Sequence, residues 1–171
     1  MPVTAGPLWV FAALVVVAGA AKVAAPAATV GALKASELPS SRRAVQTLGG
    51  GEFVVGVYAI VFGDLVAGVA VVMLYLGFTA FVVNALVRGL PVSSCGCFAK
   101  EDTPPTWIHV VVTGLGVGAG VAAIVSPPGQ LLDLLSRDGT TLIFLAMTGI
   151  AFAFAYMSLT TLPKTLGVAA K

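Results

Sequence analysis

This sequence predicts an all-α integral membrane protein, a compact bundle of four to five transmembrane helices, on three observations. Hydrophobic residues make up 58% of the chain and charged ones 9%, whereas soluble domains carry roughly a quarter charged residues. Mean hydropathy is +1.05. Long apolar runs, each sufficient to cross hydrocarbon about 30 Å thick, recur between short segments rich in Gly, Pro and charge. A chain of 171 residues has room for one such bundle and no separate soluble domain, so a single transmembrane domain over 1–171 is expected. The formal charge of +2 does not signal a nucleic-acid partner, because the basic residues sit near the ends of apolar runs, where they orient helices in lipid.

The first expected span is 8–25, whose only charge is Lys22. Ala24-Ala25-Pro26-Ala27 offers small residues of the kind a signal peptidase cuts. Yet no Lys or Arg precedes Leu8 and the run exceeds an ordinary h-region, so it is read as a retained helix. Pro26 to Val45 carries Lys34, Glu37, Pro39, Arg42 and Arg43 and reads as a polar loop with room for a short surface helix. The second span, 44–63, is interrupted early by Gly49-Gly50-Gly51-Glu52. The third, 65–87, follows after the single turn signal Gly63-Asp64, which implies an antiparallel helical hairpin.

Thr103 before Pro104-Pro105 is a helix-start signal, a cap followed by residues that need no backbone donor, and introduces the fourth span, 107–125. Ser126-Pro127-Pro128-Gly129 ends it. Gln130 to Gly139 has an amphipathic, interfacial pattern, and the last span is 141–162. In the fourth span Gly114, Gly116, Gly118 and Gly120 form two overlapping G-x-x-x-G pairs. A phosphate-binding loop needs a preceding strand and water, so these read as close helix packing, within the chain or between copies in an oligomer.

Five spans put alternate loops on the same side. One side then collects Lys22, Lys34, Arg42, Arg43, Arg88, Lys100, Lys164 and Lys171, and the other only Arg137. By the positive-inside rule the first side is cytoplasmic and the N-terminus is outside.

The two cysteines of the chain, Cys95 and Cys97, lie in Ser93-Ser94-Cys95-Gly96-Cys97-Phe98 between the third and fourth spans. A disulfide between residues two apart closes a small ring with a strained torsion, and strained disulfides are easier to reduce. That suits a carrier that takes up and passes on electrons better than a structural staple. Gly96 supplies the backbone freedom such a ring needs. Lys100 and a nearby helix start favour the thiolate, whereas Glu101 and Asp102 oppose it. Inert packing is the rival reading. A metal site built from these thiols and His109 has neither a fourth ligand nor the usual spacing, so no metal is expected.

Charge inside a span is costly and marks a partner or a cavity. Lys22 and Glu52 fall at the same end of the bundle as the cysteine turn, and Glu52 is expected to pair with Lys22 or line the site. Asn84 and Arg88, one helical turn apart, join that level as further supporting residues. His109 reads as a polar residue facing the bundle.

Ala21-Lys22 closing the first span, Leu38-Pro39 ending the loop, Glu52 opening the second span and Cys95-Gly96-Cys97-Phe98 together resemble the MauE family, DoxX-like methylamine-utilisation membrane proteins. The resemblance covers about residues 8–125. It departs from the family's usual C-G-C-F-G at Ala99. It implies a bacterial inner-membrane protein acting with a thioredoxin-like partner, MauD, in maturing the disulfide-rich small subunit of methylamine dehydrogenase outside the cytoplasm. The charge pattern puts the thiols inside. Either electrons cross the bundle or the topology is reversed.

The leading expectation is thiol/disulfide exchange at Cys95 and Cys97 with Lys22, Glu52, Asn84, Arg88 and Lys100 shaping the pocket. No cofactor is required for exchange with a protein partner. One alternative is a quinone-linked thiol oxidase, which needs a lateral apolar pocket. Another is a non-catalytic assembly factor or anchor using the glycine-rich helix 107–125.

Overall fold

The computed structural model describes residues 3–90, 104–131 and 140–161. The cysteine turn, Lys100 and the segment 132–139 lie outside the described residues. The helices are α1 (Ala5–Ala24), α2 (Ala27–Ala35), α3 (Arg42–Phe62), α4 (Leu65–Val87), α5 (Trp107–Val125) and α6 (Thr140–Thr160). Among the described residues five helices, all but α2, are long and apolar enough to cross a membrane. The described residues are thus all-helical, with no strand among them, and the chain is a multi-pass membrane protein.

The centre is α1. Its Leu8, Phe11, Ala12, Leu14 and Val15 are buried in one cluster with Ala59 of α3, Ala67, Val71 and Tyr75 of α4, Val112, Ala119 and Ala123 of α5, and Leu159 of α6. Around it, α1 packs chiefly on α3, α4 chiefly on α5, and α6 mainly on α1. In lipid the tails are as apolar as leucine, so close van der Waals contact, rather than escape from water, holds helices together. The outer faces are accordingly apolar too, with Met73, Val111, Leu115, Ile143 and Phe154 all exposed.

Glycines set both principal contacts. A Cβ on Gly19 would lie 2.5 Å from the carbonyl oxygen of Gly49, and one on Gly49 would lie 2.7 Å from that of Gly19. Gly68 and Gly120 repeat the relation between α4 and α5, where each added Cβ would stand 3.1 Å from the other's carbonyl oxygen. The Gly49-Gly50-Gly51 run, read above as an interruption, is continuous helix. Glycine lowers helix propensity by about 1 kcal/mol, but here Gly49 permits a backbone contact that no larger residue allows. Of the two G-x-x-x-G pairs on α5, Gly116 and Gly120 pack against Tyr75 and Val72, whereas an added Cβ on Gly114 or Gly118 meets nothing within 4 Å.

The turn between α3 and α4 is as short as expected. Gly63 ends α3 in the left-handed region at φ 52°. Asp64 caps α4, its Oδ1 accepting from the Ala67 N–H at 2.8 Å and its Oδ2 from the Tyr58 hydroxyl at 2.7 Å. These bonds hold the Asp64 carboxyl below the usual carboxylate range. At the same end the Thr4 hydroxyl donates to the Ser126 carbonyl, fastening the start of α1 to the end of α5.

At the opposite end α2 is a true helix of 9 residues. It closes with the Leu38 N–H bonded to the Leu33 carbonyl and the Glu37 N–H to that of Lys34, the pattern of a Schellman cap. Glu37 takes the left-handed position, φ 58°, usually given to glycine. The end of α4 repeats this cap with Gly89 in that position. The cap of α5 is Thr106, three residues after the Thr103 expected from sequence. Pro104 and Pro105 precede the helix instead of opening it.

Candidate functional site

The crossing of α1 and α3 brings a lysine and a glutamate together inside the bundle. Lys22 Nζ donates to Glu52 Oε2 at 2.7 Å, with the side chains 4% and 0% exposed. The two helices run antiparallel, so each charged residue stands beside the other helix's glycine. A Cβ on Gly49 would lie 2.8 Å from Lys22 Cβ, and one on Gly19 3.1 Å from Glu52 Cβ. The small residues that allow the backbones to touch also give both charged stems their passage. Such a pair holds its charges only because each compensates the other where water is excluded. Glu52 Oε1 is buried with no hydrogen-bond partner among the described residues.

Phe78 of α4 joins this pair to a second polar group. Its ring lies 5.2 Å from Lys22 Nζ, within cation–π range. Edge-to-face against it, 5.8 Å away, is Tyr75, whose hydroxyl donates to the Phe11 carbonyl at 2.8 Å. On the far side Phe78 shares the lining of a void of about 20 Å³ with Leu14, Val15, Ala18, Tyr75, His109, Thr113 and Leu159.

His109 is fully buried at the third position of α5. Its Nδ1 accepts from the backbone N–H of Thr106 at 3.2 Å, the returning half of a capping box, with the Thr106 hydroxyl 2.9 Å away. An Nδ1 that accepts leaves the ring proton on Nε2 in the neutral imidazole. That Nε2 is buried without a hydrogen-bond partner among the described residues. Thr113, one turn on, donates to the His109 carbonyl at 2.8 Å and takes a bond from the Thr79 hydroxyl at 2.8 Å.

Beside these groups lies an apolar cavity of about 300 Å³, bounded by α2, the first half of α3 and the middle of α4. Lys22 and Thr29 are its polar lining. Ala32, Leu33, Leu38, Leu48, Met73, Leu74, Gly77, Phe78 and Phe81 form the rest. Leu38, Leu48 and Met73 are exposed, so the cavity opens sideways through the apolar surface.

Of the residues singled out from sequence, Lys22 and Glu52 form the core of the site, and Glu52 takes the first of its two expected roles. Asn84 and Arg88 are exposed on α4, outside the buried pair and outside the cavity lining. Cys95, Cys97 and Lys100 lie outside the described residues. Their segment leaves α4 at Val87 and enters α5 at Trp107, which puts both its anchors at the end of the bundle that carries Lys22 and His109. Phe78, Thr79 and Thr113 escaped the sequence reading because single aromatic and hydroxyl residues in an apolar helix carry no periodic signal. Among the described residues no group of three or more His, Cys, Asp or Glu could hold a metal ion.

No curated protein and no solved structure matches this chain. A family model described as "Methylamine utilisation protein MauE" matches residues 2–127, a region that contains α1 to α5 and with them Lys22, Glu52, Phe78 and His109; the chain belongs to the MauE family.

Proposed function

We propose that this protein is a membrane thiol/disulfide exchanger that supports disulfide formation in a partner protein, the role implied for its family in methylamine dehydrogenase biogenesis. The observation that carries this is the Cys95-Gly96-Cys97 motif, which holds the only cysteines of the chain and lies in sequence between the end of α4 and the start of α5. A thiolate of the partner attacks the Cys95–Cys97 disulfide and forms a mixed disulfide. The partner's second thiolate displaces it, so the partner gains an S–S bond and Cys95 and Cys97 are left as thiols. A thioredoxin-like protein in its disulfide form, or another two-electron oxidant, restores the pair. We place the protein in the bacterial inner membrane, with lipid against its apolar faces and the turn on the basic, cytoplasmic side.

Cys95→Ser and Cys97→Ser test this singly. Each is expected to abolish maturation of the partner while leaving the protein folded in the membrane, and a mixed disulfide with the partner should be trapped by one of them. Maturation at the wild-type level in both variants overturns the proposal.

A further inference from the structure

We propose that the lateral cavity between α2, α3 and α4 binds a membrane-soluble quinone, its ring against Phe78 and Phe81 and one carbonyl oxygen accepting a hydrogen bond from the Lys22 ammonium. The volume of about 300 Å³ falls within the range of small-molecule sites, which are mostly apolar with a few placed polar groups. The mouth opens between exposed Leu38, Leu48 and Met73, so a ligand enters from hydrocarbon, and an isoprenoid tail can remain outside in the lipid.

Charge decides between classes of occupant. The Lys22 ammonium is already neutralised by Glu52 at 2.7 Å. A phosphate or carboxylate head group would add an uncompensated negative charge beside the Glu52 carboxylate, where low polarity makes that costly. A neutral carbonyl accepts from the ammonium without that cost. The two phenyl rings on one wall suit a flat conjugated ring better than a flexible acyl chain.

Binding stands apart from the thiol chemistry; only the redox step rests on the function proposed above. In that step two electrons and two protons leave the Cys95 and Cys97 thiols. Both S–H bonds break, the S–S bond forms, and the two quinone oxygens take the protons to give the hydroquinone.

The test uses the full chain purified in detergent and an azido-substituted short-chain ubiquinone as photolabel, with peptide mapping. Saturable labelling of the peptide that carries Met73 to Phe81, displaced by decylubiquinone, is expected. Gly77→Leu should weaken it at least about tenfold, equivalent to losing one well-placed contact. An added Cβ at Gly77 meets nothing within 4 Å, so this variant fills the cavity without disturbing the fold. Labelling that does not saturate, that survives Gly77→Leu, or that only phospholipid displaces overturns the proposal. The double variant Cys95→Ser, Cys97→Ser should be labelled as strongly as wild type, so failure of the thiol reading leaves this result intact.

Discussion

Gly49 of α3 and Lys22 of α1 stand against one another where the two helices cross. A Cβ on Gly49 would come within 2.8 Å of the Lys22 Cβ and 2.7 Å of the Gly19 carbonyl oxygen. The glycine therefore sets the depth at which the lysine reaches Glu52.

Gly49→Ala should destabilise the protein by about 1–3 kcal/mol, as overpacked cores do. Gly50→Ala and Gly51→Ala meet nothing within 4 Å, and each should stabilise α3 by up to about 1 kcal/mol through helix propensity. On α5 the same contrast separates Gly120→Ala from Gly118→Ala. Unfolding of the purified protein in detergent, read by helicity, checks all five. Equal effects at Gly49 and Gly50 would refute the close crossing.

Lys22→Met and Glu52→Met each leave one buried charge uncompensated and should cost about 3–5 kcal/mol. The double variant removes both charges and should recover most of that loss. A double-mutant cycle on the same unfolding transition measures the coupling, and additive losses would show that the ion pair contributes nothing.

Asp64 predicts an acid limb in the stability of the α3–α4 turn. Its carboxyl lies below the ordinary value of 3.8 because the Ala67 N–H and, next, the Tyr58 hydroxyl favour the charged form. A depressed folded value means the contribution is complete above that ordinary value and is lost as pH falls further through the folded one. Asp64→Ala should cost about 1 kcal/mol at neutral pH, the typical worth of a helix cap. The difference between variant and wild type should shrink below about pH 3.8. Thermal unfolding at a series of pH values reads this directly.

The basic end of the bundle carries Lys22, Lys34, Arg42, Arg43 and Arg88, and the orientation proposed above, with this end in the cytoplasm, rests on the positive-inside rule. A membrane-impermeant maleimide should leave Cys95 and Cys97 unmodified in intact cells and react once the membrane is permeabilised. Modification in intact cells would reverse the proposed orientation.

Much of the fold was legible because a bilayer asks simple questions of a sequence. Run length alone located five helices, and α4 and α5 begin and end where the apolar runs do, at 65–87 and 107–125. Buried charge was legible for a similar reason: Lys22 and Glu52 have little company in the apolar interior, so each pointed to the other. Glycine was harder. Gly49 and Gly50 are adjacent and identical in sequence, yet one is an interhelical contact and the other faces open space, a distinction that depends on rotation about the helix axis. Helices apolar all round give no moment to fix that rotation. For the same reason the cavity wall formed by Met73, Gly77 and Phe81 could not be told from lipid-facing surface. The cap of α5 shifted from Thr103 to Thr106 because His109 supplies the returning hydrogen bond, and histidine is not the residue a capping-box pattern looks for.

Phe78 closes the inner wall of the large cavity and also borders the small void at His109. One benzyl group is thus common to the walls of both spaces. Phe78→Ala would merge the two spaces into a single channel from the bilayer to the imidazole, so molecules small enough to pass would gain access to a nitrogen that the native side chain shields.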